Sequence, residues 1–567
     1  MNGLLKSLAL PCLILLLAPA APTAAQHSHA AGGFSPCREQ LAPAAIIPNL
    51  NPLSHPVSTK NAEAQKFFNQ GLTLVYGFNH EEAARSFRRA AELDPTLAMA
   101  HWGVALAVGP NINIDIDPTC ERYAYDEVQT ALRLAQSPST SASDRAYVRA
   151  LAARYSGAPD PDLRQLSVAY AVAMGRLVRD FPADLDAKTL YAESLMDLRP
   201  WKLWDACGKP AQDTLQILDL IAQVLAKDPR HIGANHYRIH ALEASTRPGD
   251  AKANADLLRT LVPNAGHLIH MSSHIYARVG AYESAALANE NAVRVDEPYV
   301  RGCAASIDAP TCLPVYVGHY YSHNLLFLAV AQGMQGKSQE AYNAADRTAA
   351  NALRYIKQQP SLEHFLPAPV MMLARFHRWP DMLKVPQPAD SSLHITRAMW
   401  HWGRGMAYAS MNDSPKAEAE LKMFLNEARS TPAGMPWGNN EASAMYPIPE
   451  NLLRGRIASA RGDSAAAVEF IRLALDAQEA LVYDEPDPWF VPVRESLGSA
   501  LLRAGKHAEA EAVFREDLRR IPGNGRSLFG LAESLKAQGR AREARLVLAE
   551  FKVVWKNADT RLRLEDL

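Results

Sequence analysis

The sequence predicts an all-α chain, an α-solenoid of helix-turn-helix units with loop insertions. Small residues, a bulky apolar residue and a closing proline recur at fixed offsets through most of residues 61–555. Near the C-terminal end Leu497, Gly498, Ala510 and Phe514 return 34 positions later as Leu531, Ala532, Ala544 and Leu548. The pairs His236/His240 and His270/His274 are separated by the same 34 residues. A period of this length belongs to a two-helix unit that buries its apolar face only by stacking on copies of itself. With 567 residues, 48% of them hydrophobic and 30 of them glycine, the chain is long enough and apolar enough for a large helical core.

Residues 1–25 read as a signal peptide. Lys6 supplies the basic region, Leu8–Ala18 the apolar run and Thr23-Ala24-Ala25 the small-residue cleavage site. The run is too short and too interrupted by proline to span a bilayer, and no later stretch reaches 18 apolar residues in a row. The mature protein is therefore expected to be exported, periplasmic or secreted, without stable membrane insertion. Residues 26–60, rich in Ala, Pro and Ser, read as a flexible leader in which His27 and His29 belong to a solvated tail. Cleavage leaves Cys37, Cys120, Cys207, Cys303 and Cys312. In an oxidising compartment Cys303 and Cys312 can staple the insertion between them, with the pairing of the other three left open. A formal net charge of −1 gives no reason to expect nucleic acid as a partner.

The helical pattern begins at Ala64. QKFFNQGLTLVYGFNHEEAARSFRRAAELDP sets Gly71, Ala83, Phe87, Ala90 and Pro95 at small, small, bulky, small and proline positions. LAMAHWGVALAVG opens a second unit, which the loop PNINIDIDPTC interrupts; helices are expected over 124–134, 143–156 and 163–181. Pro182, Pro229 and Pro263 then reset the register, so that units start at Leu185, Ile232 and Gly266. The insertions RPWKLWDACGKPAQ and RGCAASIDAPTCLPVYV precede the second of these units and a further one near Ser322. Weaker units follow around Ala398–Glu427 and Asn451–Ala477, and two clear ones close the chain. These residues resemble the tetratricopeptide repeat, in which small residues let two helices approach and proline ends the second. The expected organisation is a signal peptide (1–25), a leader (26–60), an N-terminal solenoid with a histidine-rich concave site (61–380) and C-terminal repeats (381–567).

Three His-x-x-x-His pairs occur: His236/His240, His270/His274 and His319/His323. On a helix, residues i and i+4 share a face, so each pair can close on one ion. The resemblance implies that the first helix of each unit lines the concave face, with positions 2, 5, 9 and 12 turned to a ligand. Those positions hold His267, His270 and His274 in one unit and His236, His240 and Glu243 in the unit before it. Glu193 occupies position 9 of the Leu185 unit, and His323 position 2 of the Ser322 unit. Imidazole nitrogens supplemented by a carboxylate suit a divalent transition metal, and the residue types do not separate zinc, copper, iron and manganese. The expected ligands are His236, His240, His267, His270, His274 and His323, with Glu193 and Glu243 as acid–base candidates. One such pair on a helical protein is most often chance; three, two of them in repeat register, are not.

Other signals are weaker. His101 and Trp102 suit a core or rim position, and His364, His377, His394 and His401 share no spacing. Trp201, Trp204 and Trp437 sit in proline-rich loops and either wall a pocket or pin an insertion, and DEPDPW (484–489) reads as an acidic turn. HExxH, GxSxG, CxxC, a P-loop and GxGxxG after a strand do not occur, which removes support for those enzyme classes. Two functions fit. The first is a metal-dependent enzyme acting on a small molecule at the concave site. The second is an interaction scaffold holding a peptide or protein partner in the groove, with the histidines contacting that partner. Histidine concentrated at equivalent positions of neighbouring repeats, under long Pro/Trp/Cys loops, favours the first.

Overall fold

The computed structural model describes residues 43–50, 53–113, 116, 118–205, 207–304 and 315–567. The expected signal peptide, His27, His29, Cys37 and Cys312 lie outside the described residues, and so does the expected Cys303–Cys312 pairing. Cys120 and Cys303 are both disulfide-bonded.

Among the described residues the regular elements are helices, but for a hairpin of two two-residue strands, β1 (Pro436–Trp437) and β2 (Asn440–Glu441), and an isolated bridge between Trp204 and Pro210. The first helices are α1 (Ala62–Tyr76), α2 (His80–Leu93), α3 (Ala98–Ala107), α4 (Pro118–Leu134), α5 (Ala142–Ala152) and α6 (Leu163–Asp180). The middle holds α7 (Leu185–Met196), α8 (Thr214–Lys227), α9 (Ile232–Glu243), α10 (Lys252–Leu261), α11 (Gly266–Arg278), α12 (Tyr282–Ala304), α13 (Tyr321–Met334) and α14 (Ser338–Tyr355). Short α15 (Ala368–Arg375) and α16 (Trp379–Met382) lead to α17 (His394–Ser410), α18 (Ser414–Ser430), α19 (Ala442–Met445), α20 (Pro447–Ala460) and α21 (Ser464–Glu479). The chain closes with α22 (Val493–Arg503), α23 (His507–Arg520), α24 (Gly525–Ala537) and α25 (Ala541–Val554).

The small and bulky repeat positions explain the stacking. Phe87 of α2 fills the space between Gly71 of α1 and Gly103 of α3, where an added Cβ would stand 2.7 and 2.3 Å from its ring. Phe514 of α23 does the same between Gly498 of α22 and Gly530 of α24, at 2.4 and 2.2 Å. Glycine at these sites lets backbones approach an aromatic ring that any side chain would hold off. Side-chain caps then fix helix starts: Asn61 on α1, Asp184 on α7 and Asn524 on α24.

In the middle repeats the first helices α7, α9, α11 and α13 also pack on one another in sequence, and α1 returns to pack on α9. Of α9 only Arg238 escapes burial, and α11 is buried from Gly266 through Tyr276. Helices buried on every side form the centre of a large core, not a solvent-facing groove. The solenoid also closes on itself, since the Gly280 turn after α11 meets the Pro522–Gly523 turn after α23.

The leader differs from expectation over its last stretch. Within 43–50 and 53–60 the backbone is tied to α1: the Ile47 N–H donates to Gln70 at 2.8 Å and the Leu53 N–H to Thr73 at 3.1 Å. His55 reaches Asp186 at 2.7 Å. Buried Leu50 gives this stretch an apolar anchor that composition alone conceals.

Candidate metal centre

Three helices bring six imidazoles together. His236 and His240 come from α9, His267, His270 and His274 from α11, and His323 from α13. They form two adjoining sets, His236/His240/His267 and His270/His274/His323, in each of which one ring nitrogen per residue lies within 4.8 Å of the others. Across the boundary the His267 and His270 rings stack at 5.7 Å and those of His240 and His274 meet edge-on at 6.0 Å. Five of the six are at most 6% exposed.

In four of the six rings a hydrogen bond places a proton on Nδ1. His236 Nδ1 lies 2.6 Å from the Tyr76 carbonyl, which only accepts, so Nδ1 donates and Nε2 keeps its lone pair. His240 Nδ1 donates to Glu243 at 2.8 Å and His274 Nδ1 to the other oxygen of the same carboxylate at 2.5 Å. His270 Nδ1 donates to Asn289 Oδ1 at 2.6 Å, an orientation set by the Asn289 amide donating to the Ala285 carbonyl. The bare Nε2 atoms of His236 and His240 then face each other at 3.0 Å, and the bare His270 Nε2 faces His274 Nε2 at 2.9 Å and His323 Nε2 at 3.0 Å. Both ring nitrogens of buried His267 lack a hydrogen-bond partner.

The bare nitrogens of neutral His236 and His240 repel, and burial opposes the protonation that would relieve it. Burial, reinforced by neighbouring imidazoles, holds His236, His267, His270 and His323 well below the ordinary histidine range, and burial also lowers His240. Burial opposes the charged form of His274 too, but the Glu243 carboxylate outweighs it and raises that group. Glu243 itself, despite its burial, is held at about 2 by His274 and His240. Two nitrogens each about 2.0 Å from one ion at a tetrahedral angle stand roughly 3.3 Å apart. The observed spacings are close to that.

The second layer is aromatic. The Phe78 ring lies 4.6, 5.6 and 5.5 Å from those of His236, His240 and His267, and its backbone is left-handed, with φ 54°. Phe327 stands 5.2, 4.9 and 5.8 Å from His270, His274 and His323. Trp201 meets His240 edge-on at 5.6 Å and stacks on Tyr483 at 6.4 Å, while Trp204 donates to the Ala241 carbonyl at 2.8 Å. One tryptophan of the insertion walls the site and the other pins the loop; Trp437 packs against Tyr446, away from both. A cavity of about 20 Å³, room for one water-sized molecule, reaches His240 and Glu243 past Trp201 and Arg199.

Several expected residues behave otherwise. Glu193 sits with Asp197, which pairs with Arg154 at 2.6 Å, and has no described bond to the imidazoles. Burial and Asp197 push its carboxyl well up. Glu243 has both oxygens committed to histidine Nδ1 protons and a low pKa, so it orients ligands and is a poor proton acceptor. His319 does not close on an ion with His323. It lies on the π-helical turn Val315–Tyr320, and its ring meets His364 at 6.2 Å and Phe365 at 5.6 Å. The wider turn rotates it off the face that His323 shares with α11. His101, His394 and His401 pair with Glu127, Glu427 and Glu420.

Tyr76, Phe78, Asn289 and Tyr483 were not marked by the sequence, and Asp484 and Glu485 were marked only as part of an acidic turn. Glu485 stands 4.0 Å from Arg278, whose Nε donates to the Glu243 carbonyl at 2.9 Å. A third polar group, His55/Asp184/Asp186, differs in kind. Asp186 accepts from Tyr76 at 2.7 Å, His55 at 2.7 Å and His231 at 3.2 Å, and Asp184 caps α7, so its acceptors already have donors.

A tetratricopeptide-repeat family model matches residues 491–516. Among solved structures the chain is similar to a human IFIT1 dimer with m7Gppp-AAAA, at 13% identity over 88% of this chain and 91% of that one, with a TM-score of 0.33. A human IFIT1 dimer with PPP-AAAA matches at 13% identity over 89% and 92%, also with a TM-score of 0.33. Likeness at that level carries no inference about ligands. No curated protein matches the sequence.

Proposed function

We propose that this tetratricopeptide-repeat protein holds two transition-metal ions, one in each three-histidine set, and acts through them on a small molecule. The observation that supports this most is the convergence of bare Nε2 atoms whose rings are locked by Nδ1 donors. Among the described residues no side chain supplies a cation or proton between His236 and His240.

The donor set favours copper. Manganese prefers oxygen ligands, and the common non-haem iron site needs a coordinating carboxylate, whereas Glu243 is engaged with Nδ1 protons. Two buried dications would leave a net charge of +3 beside the one carboxylate, and two cuprous ions +1. Charge is costly to bury, so the lower sum is preferred. A copper pair supplies one-electron steps and a binding place for dioxygen. The residues of this chain do the rest: Phe78 and Phe327 keep water from the rings, Glu243 couples the two sets, and Trp201 limits entry to a molecule of about water's size. Disulfides at Cys120 and Cys303 support an oxidising compartment, in keeping with export after Ala25.

The repeat itself supports a second reading, a scaffold for a peptide or protein partner. On that reading the partner binds elsewhere on the solenoid, because no peptide reaches imidazoles that are almost fully buried. The deciding experiment is elemental analysis of the mature protein purified without chelator or affinity histidines. About two equivalents of copper, falling in a His236→Ala/His270→Ala variant with unchanged helical content, support the metal centre. Protein that neither carries nor takes up metal leaves the scaffold.

A further inference from the structure

The C-terminal half contains a second, larger cavity of about 490 Å³, formed by the α15–α16 turn, the ends of α17, α20 and α24, and the segment after α25. It shares no residue with the histidine centre. Four arginines line it against a single carboxylate, Asp566. Arg563 is paired with Asp566 at 3.0 Å, and Arg526 with Glu495 at 2.7 Å. Arg456 and Arg561 have no ion pair among the described residues. The Arg456 guanidinium lies 5.9 Å over the Trp379 ring and is pulled down to about 10 by burial and by Arg503 and Arg526. The opposite wall is aromatic: His377 stacks on Trp379 at 4.9 Å and 25°. His377 holds a left-handed backbone, φ 53°, a conformation uncommon for a side chain of its size. Burial and four arginines (Arg456, Arg526, Arg503 and Arg563) keep its imidazole neutral.

From this lining we infer that the cavity binds a phosphate monoester with a flat, unsaturated body. Two uncompensated guanidinium forks call for a doubly charged oxyanion, and planar arginine donors match phosphate oxygens in pairs. The volume is that of a small-molecule site, well beyond a bare ion. The His377–Trp379 wall gives a flat body a face to lie on. The inference concerns binding alone and assigns no reaction to the His377, Ser410 and Thr560 side chains that also line the space.

Calorimetry on the mature protein tests this with adenosine monophosphate and flavin mononucleotide as flat phosphate probes. Ribose 5-phosphate, adenosine and succinate separate the contributions of charge, ring and carboxylate. At least one flat phosphate is expected to bind at least roughly tenfold more tightly than all three controls. Arg456→Gln should weaken it roughly tenfold or more, and Trp379→Leu should bring its affinity toward that of ribose 5-phosphate. Arg456→Gln should also leave the unfolding temperature of the unliganded protein unchanged or higher, since it removes a like charge, whereas loss of a structural arginine would lower it. The inference is overturned if neither flat phosphate binds, if Arg456→Gln binds as well as wild type, or if succinate binds as tightly.

Discussion

Two clusters of buried polar side chains lie on first helices of the repeats, and the chain completes only one of them. Around Glu495 of α22, Arg375 and Arg526 approach at 3.3 and 2.7 Å and the Asn524 amide donates at 2.9 Å. Donors meet acceptors and positive charge meets negative. Around His270 of α11 the neighbours are more imidazoles, Nε2 toward Nε2, and neither ring nitrogen of His267 has a hydrogen-bond partner. Both clusters are equally dry. A complete buried network is explained by folding, while a network of one chemical kind with converging acceptors calls for a ligand.

The largest effect should come from breaking the complete cluster. Glu495→Gln keeps the shape and leaves two buried guanidiniums uncompensated. The loss of stability should be about 3–5 kcal/mol, measured by urea unfolding, because removing one member of a buried pair strands the other. Metal content of the folded fraction should not change. A loss below roughly 1 kcal/mol would mean that the contrast between the clusters has been misdrawn.

The incomplete cluster should respond to its ligand more than to its own residues. A ligand at 1,000 times its Kd stabilises the folded state by about 4 kcal/mol, so chelation should lower the unfolding midpoint of the wild type accordingly. In His236→Ala/His270→Ala chelation should change nothing. Equal sensitivity of both proteins to chelator would remove the metal centre as the explanation.

Much of this was legible because the repeat transmits register. Once Pro229 and Pro263 set the phase, the 34-residue offset carried His236 to His270 and His240 to His274, and neighbouring first helices did the rest. What lay beyond local periodicity was not legible. Glu243 binds His274 from 31 residues away, Tyr76 binds His236 from 160 away, and the 483–485 segment arrives only because the solenoid closes. His319 looked equivalent to His323 because the i,i+4 rule assumes a regular helix, and the π-turn breaks that assumption. Glu193 held the right repeat position but sits beside Asp197, whose Arg154 partner comes from the α5 end.

Glu243 ties the two sets, so a change there should be felt by both. In Glu243→Gln the amide oxygen still accepts from one Nδ1–H, but the NH2 faces the other donor and one ring must turn. Loss of such an orienting group typically costs 10–100-fold in metal affinity. Competition against a chromogenic chelator should show both ions weakened. If only one ion is weakened, Glu243 serves one set and the sets are independent.

The smallest effect, and the finest test, falls on Asn289. Its oxygen fixes the tautomer of His270 alone, and it has no bond to the other set. Asn289→Leu nearly preserves volume while leaving the His270 Nδ1–H without an acceptor. The lone pair at Nε2 is then no longer enforced, and affinity for one ion should fall by roughly tenfold. The ion held by His236, His240 and His267 should keep its affinity, because Tyr76 and Glu243 still lock two of those rings. A biphasic competition curve, one phase shifted and the other in place, is the expected result. A uniform shift of both phases would show that the sets share ligands, and the pair would then have to be described as one six-histidine site.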